Sequence, residues 1–501
     1  MLSARCCVVV GCIVTVALIS LDPAPSASDG LLSRPCVVDH FGIAGLRSSA
    51  RVRSALLKTD DVNAALPGIG EHDDDAWWTC VQTCKDPTTG KPTPELCSSL
   101  NPQPNNSWEV VAPQVGGVLD NFIYGANGSE WRQWMQPSVS GGKVTAIPTF
   151  NARQGGFSSG YKEGFLCEAH RQNIRVMDAD TIGGIYSPYS LQNNDIYNET
   201  SMVIWAEAAT HFMISAGIDG FSLDLESNYA MMASNATARA AFTAALVRLK
   251  ARMQAVVPGS LLVAWVASNG SPWTKAFSNQ QMADTAKAVD QFWVMDYAMC
   301  SFPPAAMGAK HGGMANAPMQ FIEMQLKSAL SLGIPASKFV AAFPWYNCNY
   351  DCGTAGNPAG GVNCTNLRPI EFCPGSHYPT NYTFCHDNYS NPGYAQTLPL
   401  LELGKSQGNS VQWDEEQEAS FVNYFNKTDQ HYHQVWYDDP KSLALKYQWA
   451  AKLGLGGVGM WTPSATLFNE SASRAMWAVV PTKVEAAALR KTVVGDHYRD
   501  A

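Results

Sequence analysis

Charge is scarce in this sequence. Only 15% of its 501 residues are Asp, Glu, Lys or Arg, while 46% are hydrophobic. That balance excludes a disordered chain and supports a sizeable core. Positive charge is scarcer still: 34 Lys and Arg face 43 Asp and Glu, and no basic stripe stands out. Nucleic acid is therefore not expected as a partner. Gly (40) and Pro (29) show no excess, which excludes a fibrous repeat. No Cys-x-x-Cys pair is present, which argues against a zinc knuckle. No Gly-x-Gly-x-x-Gly loop follows a strand-like run, which argues against a nucleotide fold. Neither a Ser-His-Asp nor a Cys-His arrangement is readable, and no internal repeat is evident. Beyond the first 28 residues no apolar run is long enough to span a bilayer.

What is present begins with that N-terminal stretch. Arg5 precedes an apolar run, 6–21, and small residues follow it up to Ala27. This is the pattern of a secretory signal, expected over 1–27. The run is short for a spanning helix, and a signal anchor is the alternative. Residues 28–75 carry mixed charge and end in Glu71-His72-Asp73-Asp74-Asp75. We read them as a propeptide or flexible arm, followed by a catalytic domain over 76–480 and a C-terminal tail over 481–501.

Cysteine usage fits a secretory route. Of fourteen cysteines, Cys6, Cys7 and Cys12 fall in the signal and eleven remain. Eight of those cluster in 80–97 and 348–385, as expected for disulfide-stapled loops in an oxidising compartment. Cys36 is the odd one, and removal of the arm would leave ten, enough for five bridges. Ten Asn-x-Ser/Thr sequons, among them Asn198, Asn235, Asn426 and Asn469, imply a glycoprotein of the lysosomal or vacuolar lumen or the extracellular space.

From Trp108 onward strand-like and helix-like segments alternate. Candidate strands are 108–112, 144–150, 174–179, 220–226, 261–268, 291–298, 339–345 and 457–462. They are short apolar runs, the signature of parallel strands buried on both faces. Helical spacing lies between them at 200–216, 237–256 and 317–332. Eight strands with intervening helices predict an α/β fold, a (β/α)8 TIM barrel with disulfide-rich loop insertions at 300–316 and 348–434. The period alone also fits an open doubly wound sheet.

The most informative segment is Asp219-Gly-Phe-Ser-Leu-Asp-Leu-Glu226. In a strand over 220–226, Ser222, Asp224 and Glu226 share one face, and Phe221, Leu223 and Leu225 the other. The polar face points into the barrel, and Glu226 emerges at the C-terminal end, where barrel enzymes carry their chemistry. Two carboxylates this close push one toward a raised pKa, suited to proton donation near neutrality.

This segment resembles the Asp-x-x-Asp-x-Asp-x-Glu signature of the family 18 glycoside hydrolases, the chitinase family, with Ser222 in place of the second Asp. Further segments resemble the family's di-N-acetylchitobiase branch: Pro344-Trp345-Tyr346-Asn347-Cys348-Asn349-Tyr350-Asp351-Cys352, then His433-Gln434-Val435-Trp436-Tyr437-Asp438, then Gly457-Val458-Gly459-Met460-Trp461. Met295-Asp296-Tyr297-Ala298 stands where the family has Met-x-Tyr-Asp. The resemblance covers roughly 108–472.

The resemblance implies catalytic roles for Glu226 as general acid/base, Asp224 as the residue that orients the substrate N-acetyl group, and Tyr297 as its hydrogen-bond partner. It further implies substrate contacts from Asp219, Ser222, Met295, Trp345, Tyr346, Gln434 and Trp461, with Trp461 as the floor under the reacting sugar. No metal or cofactor is implied; His431 and His433 lack a third ligand. The implied activity is hydrolysis of β-1,4 linkages between N-acetylglucosamine units by a retaining, substrate-assisted route. An endo-acting chitinase and a non-catalytic chitin-binding lectin on the same fold are the alternatives.

Overall fold

The eight apolar runs expected as strands become one closed parallel barrel. Its strands are β1 (Glu109–Val111), β2 (Ala146–Thr149), β3 (Arg175–Asp178), β4 (Gly220–Leu223), β5 (Leu261–Ala267), β6 (Gln291–Met295), β7 (Phe339–Pro344) and β12 (Gly457–Trp461). They close in the order β1-β12-β7-β6-β5-β4-β3-β2. The computed structural model describes residues 84–99, 108–114, 131–150, 164–179, 196–224, 235–267, 279–301, 312–354 and 392–493. The chain divides into two units, 1–61 and 62–501, and all described residues belong to the second. The expected signal peptide, the whole of the expected arm and Glu226 lie outside the described residues. Among those described, no helix is long and apolar enough to cross a membrane.

Register decides which side chains enter the lumen. Parallel partners point the same way, so Ser222 beside Val263, Trp265 beside Trp293, Met295 beside Ala342, and Ala342 beside Gly459 trace one inward set. The lumen is crowded where the barrel closes: a Cβ on Gly459 would lie 3.2 Å from Val111 Cβ and 3.4 Å from that of Ala342. Gly220, at the start of β4, has φ +155°, and a Cβ there would meet the Leu261 carbonyl oxygen at 2.1 Å. Only glycine fits that approach.

Helices form over the three segments where apolar spacing predicts them, and further ones appear beside them. α1 (Phe165–Arg171) precedes β3. α2 (Glu199–Ser215) buries Met202, Trp205, Ala209 and Met213, and Asn198 caps it by accepting from the Ser201 amide. α3 (Ala236–Val256) is capped by Asn235 in the same way. α4 (Met319–Leu330) leads to β7. Two asparagines read as sequons thus also start helices, through Oδ1, which leaves Nδ2 outside the cap.

The second insertion is more ordered than a set of loops. It carries an antiparallel sheet, β8 (Cys348–Gly353), β9 (Gln412–Asp414), β10 (Ala419–Asn426) and β11 (His431–Tyr437), in the order β8-β11-β10-β9. Three further helices are α5 (Tyr394–Ser406), α6 (Pro440–Lys452) and α7 (Glu470–Ala478). The Cys300–Cys348 disulfide ties the segment after β6 to β8. Within the expected C-terminal tail, Lys483–Val493 is helical; Ala486 is buried and the Arg490 guanidinium donates to the Leu455 carbonyl.

At the N-terminal end of the barrel, Arg175 Nη1 donates to Glu109 Oε1 at 2.9 Å, and the Thr145 hydroxyl donates to Glu109 Oε2. Both charges are buried. Removing one partner of a buried pair costs about 3–5 kcal/mol, because the other charge is stranded. Arg175→Met is expected to lose about that much in equilibrium urea unfolding. A loss below about 1 kcal/mol would mean that the pair does not hold the barrel floor.

Candidate active site

β4 sets the catalytic face. On its outer side the Phe221 ring stacks on Phe212 of α2, with centroids 6.3 Å apart, and Leu223 is buried. Ser222 therefore faces the lumen, and alternation gives Asp224 the same direction at the strand's C-terminal end. Ser222 is fully buried, and its Oγ has no hydrogen-bond partner. Asp224 is half-buried. Glu226 falls just past the last described residue of this strand end.

Aromatic rings line the mouth beside this face. Trp461, at the end of β12, remains partly exposed. The Phe150 and Trp265 rings meet it edge-on at 5.1 Å and 6.0 Å. Tyr297 stacks on it at 5.7 Å, with 28° between planes. Tyr346 meets Tyr297 edge-on at 6.3 Å. Met295 is buried on β6, two residues before Tyr297. Burial pushes the Tyr346 phenol well above its ordinary range, so it acts as a neutral hydroxyl. Flat rings of this kind suit the apolar face of a sugar.

The turn after β6 is braced from an insertion. Ala298 adopts φ +62°, and its amide donates to Asn316 Oδ1 at 2.6 Å. Asn316 Nδ2 donates to the Tyr346 carbonyl at 2.9 Å, and the Met299 amide donates to the Asn316 carbonyl at 3.1 Å. One buried asparagine thus couples the Tyr297 turn to the Tyr346 segment, alongside the Cys300–Cys348 bridge.

Three residues expected at the site are held elsewhere. Asp219 lies at the root of β4 on its outer side, fully buried. Its Oδ2 accepts from the Val176 amide at 2.8 Å and meets His170 Nε2 of α1 at 2.9 Å. Trp345 faces the helix layer: its Nε1–H donates to Tyr447 Oη of α6 at 3.0 Å, and its ring abuts Trp477 of α7 at 5.1 Å. Gln434 sits in the antiparallel sheet. Its Oε1 accepts from the Gly313 amide and Trp436 Nε1–H, and its Nε2 donates to Asn423. Trp436 is buried against Phe421. Ser222, Asp224, Met295, Tyr297, Tyr346 and Trp461 are gathered at the lumen and its mouth.

Phe150, Trp265 and Asn316 were not legible as site residues. In a strand buried on both faces, alternation does not say which face is the lumen, so Trp265 and Trp345 look alike in sequence. The signal available for Phe150 was its position at a strand's C-terminal end.

Next to the mouth, Lys446 Nζ donates to Asp438 Oδ1 at 2.5 Å and to the Ala317 carbonyl. Both side chains are buried. Burial pushes the Asp438 carboxyl up, and Lys446 opposes it. His431 and His433 each meet an aspartate, Asp351 and Asp429, at 3.0 Å and 2.9 Å. Among the described residues, the one cluster with metal-ligand spacing is Cys84, Cys97 and Cys167, away from this mouth.

Comparison with known proteins agrees with this geometry. The family model for glycosyl hydrolases family 18 matches residues 168–465. The di-N-acetylchitobiase of Homo sapiens is 23% identical over 404 residues, covering 78% of this chain and 88% of that protein. The probable di-N-acetylchitobiase 1 of Dictyostelium discoideum is 25% identical over 384 residues, covering 75% of this chain and 92% of that protein. Among solved structures, the Ostrinia furnacalis group IV chitinase in complex with allosamidin superposes with a TM-score of 0.52 at 14% identity. The match covers 77% of this chain and 99% of that one.

Proposed function

Because the chain belongs to glycosyl hydrolases family 18 and is a glycoside hydrolase, we propose that it cleaves β-1,4 bonds between N-acetylglucosamine units. The substrate class is the chitobiose core of N-glycans or short chitooligosaccharides, split from the reducing end. The observation that supports this reading is the stacked Tyr297–Trp461 pair at the barrel's C-terminal end, together with the lumenal face of β4 that carries Ser222.

In the proposed reaction the sugar stacks on Trp461 while Glu226 protonates the leaving glycosidic oxygen. The substrate's acetamido oxygen attacks the anomeric carbon from the opposite face, and the bond to the leaving oxygen breaks. Asp224 holds the acetamido N–H, and Tyr297 donates to the acetamido oxygen. Glu226, now a carboxylate, takes a proton from water, which opens the cyclic intermediate. Two inversions retain the anomeric configuration. The protein acts in a lysosomal or extracellular lumen after loss of residues 1–27, with 28–75 as a removable arm.

Product analysis on matched unreduced and borohydride-reduced chitooligosaccharides tests the reading. The expected result is release of N-acetylglucosamine from the reducing end of the unreduced chains and resistance of the reduced chains. Dimers from both tetramer and hexamer would instead identify an endo-acting chitinase. Tight binding without any cleavage would identify a lectin.

A further inference from the structure

We propose that Cys84 and Cys167 are joined by a disulfide that clamps segment 84–99 onto α1 beneath the root of β4. The sulfurs of Cys84, Cys97 and Cys167 lie within 4.8 Å of one another, and all three residues are at most 2% exposed. Cys97 is already half of a disulfide, whereas Cys84 and Cys167 stand as thiols. A disulfide needs a sulfur–sulfur distance of about 2.05 Å, so the two sulfurs must close on one another to complete it.

The backbone around this pair is already docked. The His170 ring, through Nδ1, donates to the Leu96 carbonyl at 2.9 Å, and Arg171 donates to the Lys85 carbonyl at 3.2 Å. The Ser99 hydroxyl donates to the Ile218 carbonyl at 2.7 Å. A Cβ on Gly217 would lie 2.5 Å from the Cys97 carbonyl oxygen, so the two segments are in tight contact. His170 then meets Asp219, which accepts from the Val176 amide. The clamp therefore reaches the base of the strand that carries Ser222 and Asp224.

A soft metal is the competing occupant of three clustered sulfurs. It would need thiolates, and Cys97 is not available as one. Oxidation suits the cluster better. The oxidant is the disulfide of a thiol–disulfide oxidoreductase: one S–S bond forms between Cys84 and Cys167, and the donor disulfide takes up two electrons and two protons to become a dithiol. The closed loop contains β1 and β2, and β1 is the strand through which β12 closes the barrel. Long enclosed loops restrict the unfolded chain most.

The test is disulfide mapping of the full chain made through a secretory route, alkylated in acid denaturant and digested without reduction. A cross-linked peptide pair carrying Cys84 and Cys167, lost on reduction, is the expected result. Recovery of either cysteine alkylated, or of Cys84 linked to another cysteine, overturns the proposal. So does zinc at one per chain with both thiols alkylated only after chelation. Cys84→Ser, Cys167→Ser and the double variant are each expected to lower Tm by about 3–8 °C, equally in all three. Losses that add would mean two independent thiols.

Discussion

Glu226→Gln is expected to lower turnover of chitooligosaccharides by roughly 10²–10⁴-fold, with Tm unchanged. The substitution keeps the size and hydrogen-bonding capacity of the side chain and removes its transferable proton. The loss should fall on kcat rather than on KM, because the proton is needed in the transition state and not for binding. It should shrink for substrates whose leaving group departs without protonation, such as a dinitrophenyl glycoside. That contrast separates a missing acid from a misfolded site. Near wild-type turnover of the natural linkage would sink the assignment of Glu226. A loss equal for both leaving groups would point to binding instead.

The second large effect concerns the nucleophile. Matched glucosides and de-N-acetylated glucosaminides are expected to show no detectable turnover, while N-acetylglucosaminides are cleaved. Ser222 faces the lumen on β4, and the sequence alternation expects Asp224 and Glu226 on that same face. Same-face residues on a strand are about 6.6 Å apart along it, so on the proposed reading Asp224 and Glu226 rise side by side. An enzyme nucleophile needs carboxyls about 5–5.5 Å apart on opposite sides of the scissile bond. Separation alone is close, but direction is wrong, since both side chains approach from one side. An acetamido oxygen in the substrate supplies the missing nucleophile, and a well-oriented intramolecular group is worth an effective concentration of roughly 10⁵–10⁸ M. A thiazoline mimic of the cyclic intermediate should inhibit competitively, and Asp224→Asn should weaken that inhibition. Efficient cleavage of cellobiosides, or a glycosyl ester trapped on Asp224, would overturn substrate assistance and leave the barrel intact.

The strands and their order along the chain were legible because each is a short apolar run buried on both sides. All eight expected strands recur in the barrel, with ends trimmed by one to three residues where the described strands stop. Alternation on β4 was also local information. The outward packing of Phe221 and Leu223 leaves Ser222 and Asp224 inward, whatever the rest of the chain does. The same parity already separates Asp219 from Ser222, by three residues, although a shared motif had grouped them.

Contacts between distant segments were decided only by the tertiary structure. Trp345 and Trp461 both end barrel strands in sequence, yet one turns to Tyr447 and Trp477 and the other to the mouth. The reason is register: Trp461 pairs with Pro344, so its inward neighbour is Pro344 and Trp345 falls on the outer face. The resemblance put Gln434 at the substrate, and pairing with β8 and β10 buries Gln434 and Trp436 in a second sheet instead. Asn316 reaches Ala298 and Tyr346 only because an insertion folds back over the barrel end. Cys84 and Cys167 stand 83 positions apart and meet because α1 docks under the N-terminal segment. Local periodicity fixes which face a residue shares with its neighbours along a strand; only closure of the barrel decides what that face meets.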